Sequence, residues 1–207
     1  MKGIFLKIAE AKHINDMYSN EYLFFNTFSS FRAKEKDASG RQDPREANTI
    51  NRQATYLEVN IPGKGTIKLS EIMTNFNAQF NEHPAEIPFN ICSLYTIGIN
   101  EDDSFKQIDE RVLKLGDRAI LIFNLKRFFE ILDEQLETKG IGFSRKPVTY
   151  YGYKTFDGDL SFHHKEDSFN YQNEYRILLK TEGDAVIKIQ LPGLKEISEI
   201  AELKSNE

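Results

Sequence analysis

Apolar and polar positions along the chain change period several times, and each change predicts an element. Residues 3–8 read as a short strand, a polar segment through Asn15, Met17 and Tyr18 has helical character, and Tyr22-Leu23-Phe24-Phe25 predicts a second strand. The opening is therefore β-α-β. Residues 56–61 alternate as a strand, Pro62-Gly63-Lys64-Gly65 has the composition of a hairpin turn, and 66–69 returns. Ser70 stands where an N-cap would, ahead of Ile72, Met73, Phe76 and Phe80, and that stripe predicts a core helix over 70–82. Residues 89–99 predict a strong strand with Ile91, Ser93, Tyr95 and Ile97 on one side. Ile108, Val112 and Leu115 space as a helix ended by Gly116, and 119–123 is the continuous apolar run of a buried strand. Asn124 predicts the cap of a helix with the stripe Leu125, Phe128, Phe129, Leu132 and Leu136 before Gly140. Further strands are expected at 147–153, 169–179 and 185–191, with a turn at Glu182-Gly183-Asp184, and a short helix over 194–203 closes the chain. Strands and helices mixed without regular alternation predict an α+β fold: one domain over 1–207, a mixed, mostly antiparallel sheet, and flanking helices.

Composition narrows this picture. The 207 residues suffice for one well-packed domain and are few for two, and 40% hydrophobic with 29% charged residues is ordinary for a globular chain. No apolar run approaches the roughly 20 residues of a membrane span, and Met1-Lys2-Gly3-Ile4-Phe5 leads straight into charge, so a cytoplasmic protein without a membrane partner is expected. Cys92 is the only cysteine, which excludes an internal disulfide and a cysteine zinc cage. His163 and His164 are adjacent and would face opposite sides of a strand, while His13 and His83 stand alone; each is expected at the surface or in a cap, and no metal is expected. A net charge of −5 offers nucleic acid no global attraction.

Two stretches carry candidate chemistry. Residues 32–52 break into charge, Gly and Pro around Asp43-Pro44-Arg45-Glu46 and hold many of the arginines; with few apolar anchors they predict an exposed, mobile charged loop. Phe169-Asn170-Tyr171-Gln172-Asn173-Glu174-Tyr175-Arg176-Ile177-Leu178-Leu179-Lys180 reads as one strand. Its alternation sends Tyr171, Asn173, Tyr175, Ile177 and Leu179 one way and Gln172, Glu174 and Arg176 the other. One face is core and the other is either a solvated face with Glu174 and Arg176 paired, or a site in which a carboxylate holds a ribose hydroxyl and an amide orients an acceptor. The phosphate-loop lysine motif, the dinucleotide glycine triplet, the Gly-x-Ser-x-Gly elbow and His-Glu-x-x-His do not occur.

On those two stretches the chain resembles a large bacterial and phage family of unknown function, often found in defence-related gene neighbourhoods. Its members carry a Ser-Phe-Asn-Asp-Pro-Phe-Glu loop after the second strand and a Tyr-Glu-x-Glu-Tyr/Trp-Arg strand near the C-terminus. Here Ser30-Phe31 and, after an insertion, Asp43-Pro44-Arg45-Glu46 echo the first, and Tyr171-Gln172-Asn173-Glu174-Tyr175-Arg176 the second; Gln42 stands in place of Asn and Gln172 in place of Glu. The layout is also distantly similar to the ADP-ribosyltransferase fold, which combines an early arginine, a central strand serine and a late Gln/Glu-x-Glu strand. That resemblance implies Glu174 and Gln172 as catalytic residues and Ser93, Tyr95 and either Arg32 or Arg41 as NAD-binding residues. It implies NAD as the consumed dinucleotide, no metal, and a transferase or glycohydrolase in bacterial or phage conflict with a macromolecular target or an antitoxin-like partner. Arginine forks suit a pyrophosphate, and a carboxylate suits an oxocarbenium-like transition state. Two other classes compete: a non-enzymatic module that binds another protein through the aromatic-rich surface and charged loop, and a nuclease using Asp43, Glu46 and Glu58 with Lys64.

Overall fold

The computed structural model describes residues 3–28, 30, 43–73, 78–84, 86–102, 104–181 and 185–204. Strand β1 (Gly3–Ala9) leads through α1 (Ala11–Ser19) into β2 (Tyr22–Thr27), as the pattern predicts. A turn at residues 43–48 enters β3 (Ile50–Ala54), and β4 (Glu58–Ile61) and β5 (Gly65–Lys68) form the expected hairpin. Then come a single helical turn, α2 (Leu69–Ile72), and strands β6 (Ala78–Glu82) and β7 (Phe89–Gly98). A 3-10 helix (Glu110–Leu115) precedes β8 (Arg118–Ile122) and α3 (Leu125–Thr138), where the Asn124 side chain accepts from the Arg127 N–H as a cap should. The remainder is β9 (Phe143–Pro147), β10 (Thr149–Tyr151), β11 (Gly158–Asp159), β12 (His164–Glu166), a 3-10 helix (Asp167–Gln172), β13 (Glu174–Lys180), β14 (Ile187–Gln190), a 3-10 turn (Leu194–Glu196) and β15 (Ser198–Glu202). The fold is α+β, and none of the described helices is long and apolar enough to cross a membrane.

An eight-stranded sheet runs β14-β2-β7-β1-β8-β15, with β13 beside β7 and β9 beside β13. All its ladders are antiparallel; β10 and β12 pair in parallel apart from it. Strand β7 is its axis. One edge of β7 pairs with β13 from Phe89 to Tyr95, while the other edge is shared: β1 takes Tyr95 to Gly98, and β2 takes only Asn90 and Ile91. Neither β1 nor β2 pairs with residues 92–94, so the sheet forks there.

Alternation along β7 and β13 sorts two different interiors. On one face Phe5, Cys92, Leu94, Tyr175, Ile177 and Leu179 join Ile14 and Met17 of α1 and Phe128, Leu132 and Leu136 of α3 in the main apolar core. The ring of Phe5 lies 4.8 Å from that of Tyr175 and 6.3 Å from that of Phe128. On the other face Leu6, Tyr95 and Ile97 form one small apolar cluster with Val112, and Phe28, Ala47, Ile91 and Leu178 form another. The residues between those clusters are polar.

Four expectations change. Residues 169–179 are not one strand: the chain is 3-10 helical through Gln172, turns at Asn173 with φ +36°, and becomes extended only at Glu174. Asparagine tolerates the left-handed region, so the break needs no glycine. The helix over 70–82 reduces to α2, with Ser70 inside it, and Phe80 lies on β6, paired with β3. The expected core stripe is exposed at Ile72, Met73 and Phe80. Phe76 lies outside the described residues. The closing helix is instead a turn and an edge strand, β15, because the outer edge of β8 recruits residues 198–202. In the expected loop over 32–52, Arg32 and Arg41 lie outside the described residues, whereas Asp43, Glu46, Asn48 and Asn51 are buried and not part of an exposed loop.

Candidate functional site

Glu174 and Arg176 follow one another on the second face of β13, opposite Tyr95 and Ser93 of β7. Ser93 donates its hydroxyl to Glu174 Oε1, the oxygen that also accepts from Arg176 Nε at 2.9 Å. Glu174 Oε2 takes the Lys165 ammonium of β12 at 3.1 Å. The turn at 43–48 closes the circuit: Glu46 lies 2.8 Å from Arg176 Nη1 and 3.6 Å from Lys165 Nζ. Two carboxylates and two cations thus alternate in a ring, and each of the four is at most 5% exposed. Glu174 and Arg176 do pair, yet the solvated strand face is wrong, since the overlying turn and β12 exclude water.

Gln172 is not a strand neighbour of Glu174. It meets Glu174 through Lys165, whose Nζ donates to Gln172 Oε1 at 2.7 Å, while the Glu174 N–H donates to the Tyr150 hydroxyl at 3.0 Å. Phe162 O accepts from Arg176 Nη1. Removing charges from water is costly unless partners and hydrogen bonds surround them, and this ring supplies both.

Electrostatics follows from that arrangement. Burial alone would raise the Glu174 carboxyl, but Arg176 and Lys165, with hydrogen bonds from Arg176 and Ser93, hold it well below the usual carboxylate range. Burial would lower Lys165, and Glu174 and Glu46 outweigh it, so the ammonium is retained. Asp43 behaves oppositely: burial, then the neighbouring Glu46, push its carboxyl up to about 6. Its Oδ1 accepts from the Arg45 N–H at 2.8 Å, and Oδ2 has no hydrogen-bond partner among the described residues. His163 is buried rather than superficial and is pushed down to about 4 by burial and Arg176; its Nε2 lies 3.0 Å from Ser144 Oγ. His164 Nδ1 accepts from the Ser161 N–H at 2.9 Å within the turn that enters β12.

A cleft of about 420 Å³ occupies the fork between β1 and β2. Ser93, Gln172, Glu174 and Lys165 line it, with Tyr95, Tyr22 and Phe24 as aromatic walls and Lys7, His13 and Lys188 as further nitrogen groups. Lys7 enters because β1 has left β7 by that residue, and its Nζ reaches Ser93 O at 3.3 Å. Each carboxylate oxygen can accept two hydrogen bonds; among the described residues Oε1 has both, whereas Oε2 has Lys165 alone and retains the capacity for one more.

Of the expected site residues, Gln172, Glu174, Ser93 and Tyr95 converge on one cleft. The residues singled out for a nuclease separate: Glu46 is a member of the buried ring and Asp43 lies beside it, while Glu58 is engaged on the hairpin by Tyr56 and Lys68, and Lys64 sits in its exposed turn. Among the described residues no group of three or more His, Cys, Asp or Glu is placed to hold a metal ion. Sequence reading missed Lys165 and Lys7. Neither sits in a motif; Lys7 had one available signal, its place on the first strand. Comparison with models of protein families, with curated proteins and with solved structures finds no match for this chain.

Proposed function

We propose that the chain cleaves the nicotinamide–ribose bond of NAD, as an ADP-ribosyltransferase or NAD glycohydrolase. The observation that carries this reading is the buried Glu174 carboxylate lining the forked cleft, hydrogen-bonded by Ser93 at Oε1 and by Lys165 at Oε2. The volume suits a small-molecule site, the aromatic walls suit flat rings, and Lys7 and Lys188 suit phosphate oxygens. As the bond from ribose C1′ to the ring nitrogen breaks, its electron pair leaves with neutral nicotinamide and positive charge develops on the ribosyl group. A preorganised carboxylate lowers the energy of that charge. Water or an acceptor nucleophile then bonds to C1′ and gives up a proton.

Incubation with labelled NAD and cell lysate, read for free nicotinamide and for labelled macromolecules, tests the reading. Glu174→Gln is expected to reduce nicotinamide release by about 100-fold or more. A folded Glu174→Gln protein with wild-type turnover would overturn it. A non-enzymatic protein-binding module is the second reading, favoured by one observation: Tyr56, Val59, Ile67, Ile72 and Met73 are exposed together along the β4–β5 hairpin and α2. No nicotinamide release, with a macromolecular partner captured through that hairpin, would select it.

A further inference from the structure

We infer that Glu46 and Asp43, neither of which lines the cleft, set the charge of its floor and act as positioning residues for the cleavage proposed above, on which this inference rests. Arg176 and Lys165 both touch Glu174, so without another acid one carboxylate would sit beneath two cations. Such a floor would repel the positive charge that develops on the ribosyl group. Glu46 contacts the same two cations from the opposite side, at 2.8 Å and 3.6 Å, and brings the ring to neutrality. It also pairs with Arg176 Nη1 while Nε binds Glu174, so the guanidinium that orients the carboxylate is itself held by a residue 128 positions earlier in the chain than Glu174.

Asp43 adds one more negative charge immediately behind Glu46. The groups that face it are Arg45 and Glu46 from its own turn, Lys165 and Glu166 from β12, and the Tyr151 hydroxyl from β10, with Glu174 and Arg176 of β13 beyond Glu46. Arg45 and Glu166 bind each other, and Arg45 also stacks on Tyr153, so that pair cancels. The remaining tally is two cations against Glu46 and Glu174, with Asp43 in excess. An ionised Asp43 therefore leaves the ring and its buried neighbour with one net negative charge behind the floor, and a protonated Asp43 leaves them with none, while Lys7 stays at the cleft wall in both states. Asp43 is buried and its Oδ2 is unpartnered among the described residues, so its charge is poorly screened and acts on the ring across a low-dielectric interior.

The test uses the full chain in wild-type, Glu46→Gln, Glu46→Asp and Asp43→Asn forms. Two readouts are taken from about pH 5 to about pH 8: kcat and KM for nicotinamide release from NAD, and the relative affinities of 1-methylnicotinamide, a cation, and nicotinamide, its neutral counterpart. Glu46→Gln is expected to lower kcat by about 10-fold or more with KM changed less than about 3-fold, and Glu46→Asp to recover part of the loss. Wild-type kcat and cation preference should both rise as pH passes about 6, and Asp43→Asn should abolish that rise. A folded Glu46→Gln protein with wild-type kcat, a loss confined to KM, or an unaltered pH profile in Asp43→Asn overturns the inference. Should Glu46→Gln fail to fold, Glu46→Asp and Asp43→Asn decide by the same criteria. A wild-type protein that releases no nicotinamide removes the NAD reading, and the probe affinities then decide alone: a cation preference that rises with pH and is lost in Asp43→Asn supports charge setting, and a flat one overturns it.

Discussion

Cys92, Leu94, Tyr175, Ile177 and Leu179 face α1 and α3, while Ser93, Glu174 and Arg176, interleaved with them on the same two strands, face Glu46 and Lys165. Both faces bury their side chains, the second one beside a cleft, and they are held by different physics. The apolar face gains from area removed from water, about 1.5–3 kcal/mol for each fully buried large side chain, and that gain has no direction and no dependence on pH. The polar face gains little net, because desolvation offsets attraction, yet removing any one member strands the rest. A chain built for stability alone would have no need of the second face, and that asymmetry directs attention to its chemistry.

The largest effect should come from breaking the ring. Arg176→Met is expected to cost about 3–5 kcal/mol near pH 7 in a chemical denaturation experiment, because Glu174 loses its closest cation while remaining buried. It should also invert a pH trend. In the wild type the Glu174 carboxyl is depressed, so its contribution is present above the unfolded value near 4.5 and is lost as pH falls below it. Without Arg176 the carboxyl rises, and the variant should gain stability on acidification from pH 7 toward pH 5. A loss under about 1 kcal/mol, or a trend that still follows the wild type, would mean that water reaches this face.

The neighbouring position tests the other face. Ile177→Ala is expected to cost about 2–4 kcal/mol through lost burial and the cavity left against α3, equally at pH 5 and pH 7. A pH-dependent loss there would show that the two faces are coupled through the backbone and are not held independently.

Sequence exposed the two faces unequally. Helix α3 was legible because its cap, Asn124, and its stripe, Phe128, Leu132 and Leu136, lie within a few turns of one another, and local spacing decides such elements. Glu174, Ser93 and the Asp43–Glu46 turn were legible as residue types. Their meeting was not, since Glu46, Lys165 and Glu174 come together only when the turn and β12 fold over the sheet. Lys165, flanked by His164 and Glu166, looks like any charged strand residue. The misread helix at 70–82 has the same cause: pairing of β6 with β3, a long-range event, outweighed an i, i+4 stripe.

The smallest expected effect distinguishes the faces most sharply, because it runs toward greater stability. Asp43 is the acid in excess, and its carboxyl is raised to about 6 from an unfolded value of 3.8. A raised carboxyl favours the folded state most fully below the unfolded value, and that contribution is lost as pH rises through the folded one. Ionised Asp43 therefore weighs against folding above pH 6, by an amount that a shift of about two units bounds at roughly 3 kcal/mol. Asp43→Asn keeps the shape and removes the charge, so it should stabilise the protein by about 1–3 kcal/mol at pH 8 and by nearly nothing at pH 4. Thermal or denaturant melts of both proteins across that range check it. A variant no more stable than wild type at pH 8 would mean that Asp43 is already compensated, and the floor of the cleft would then carry no surplus charge. A stabilised variant that has lost the pH response of the site would show why an unfavourable buried acid remains on the polar face and has no counterpart on the apolar one.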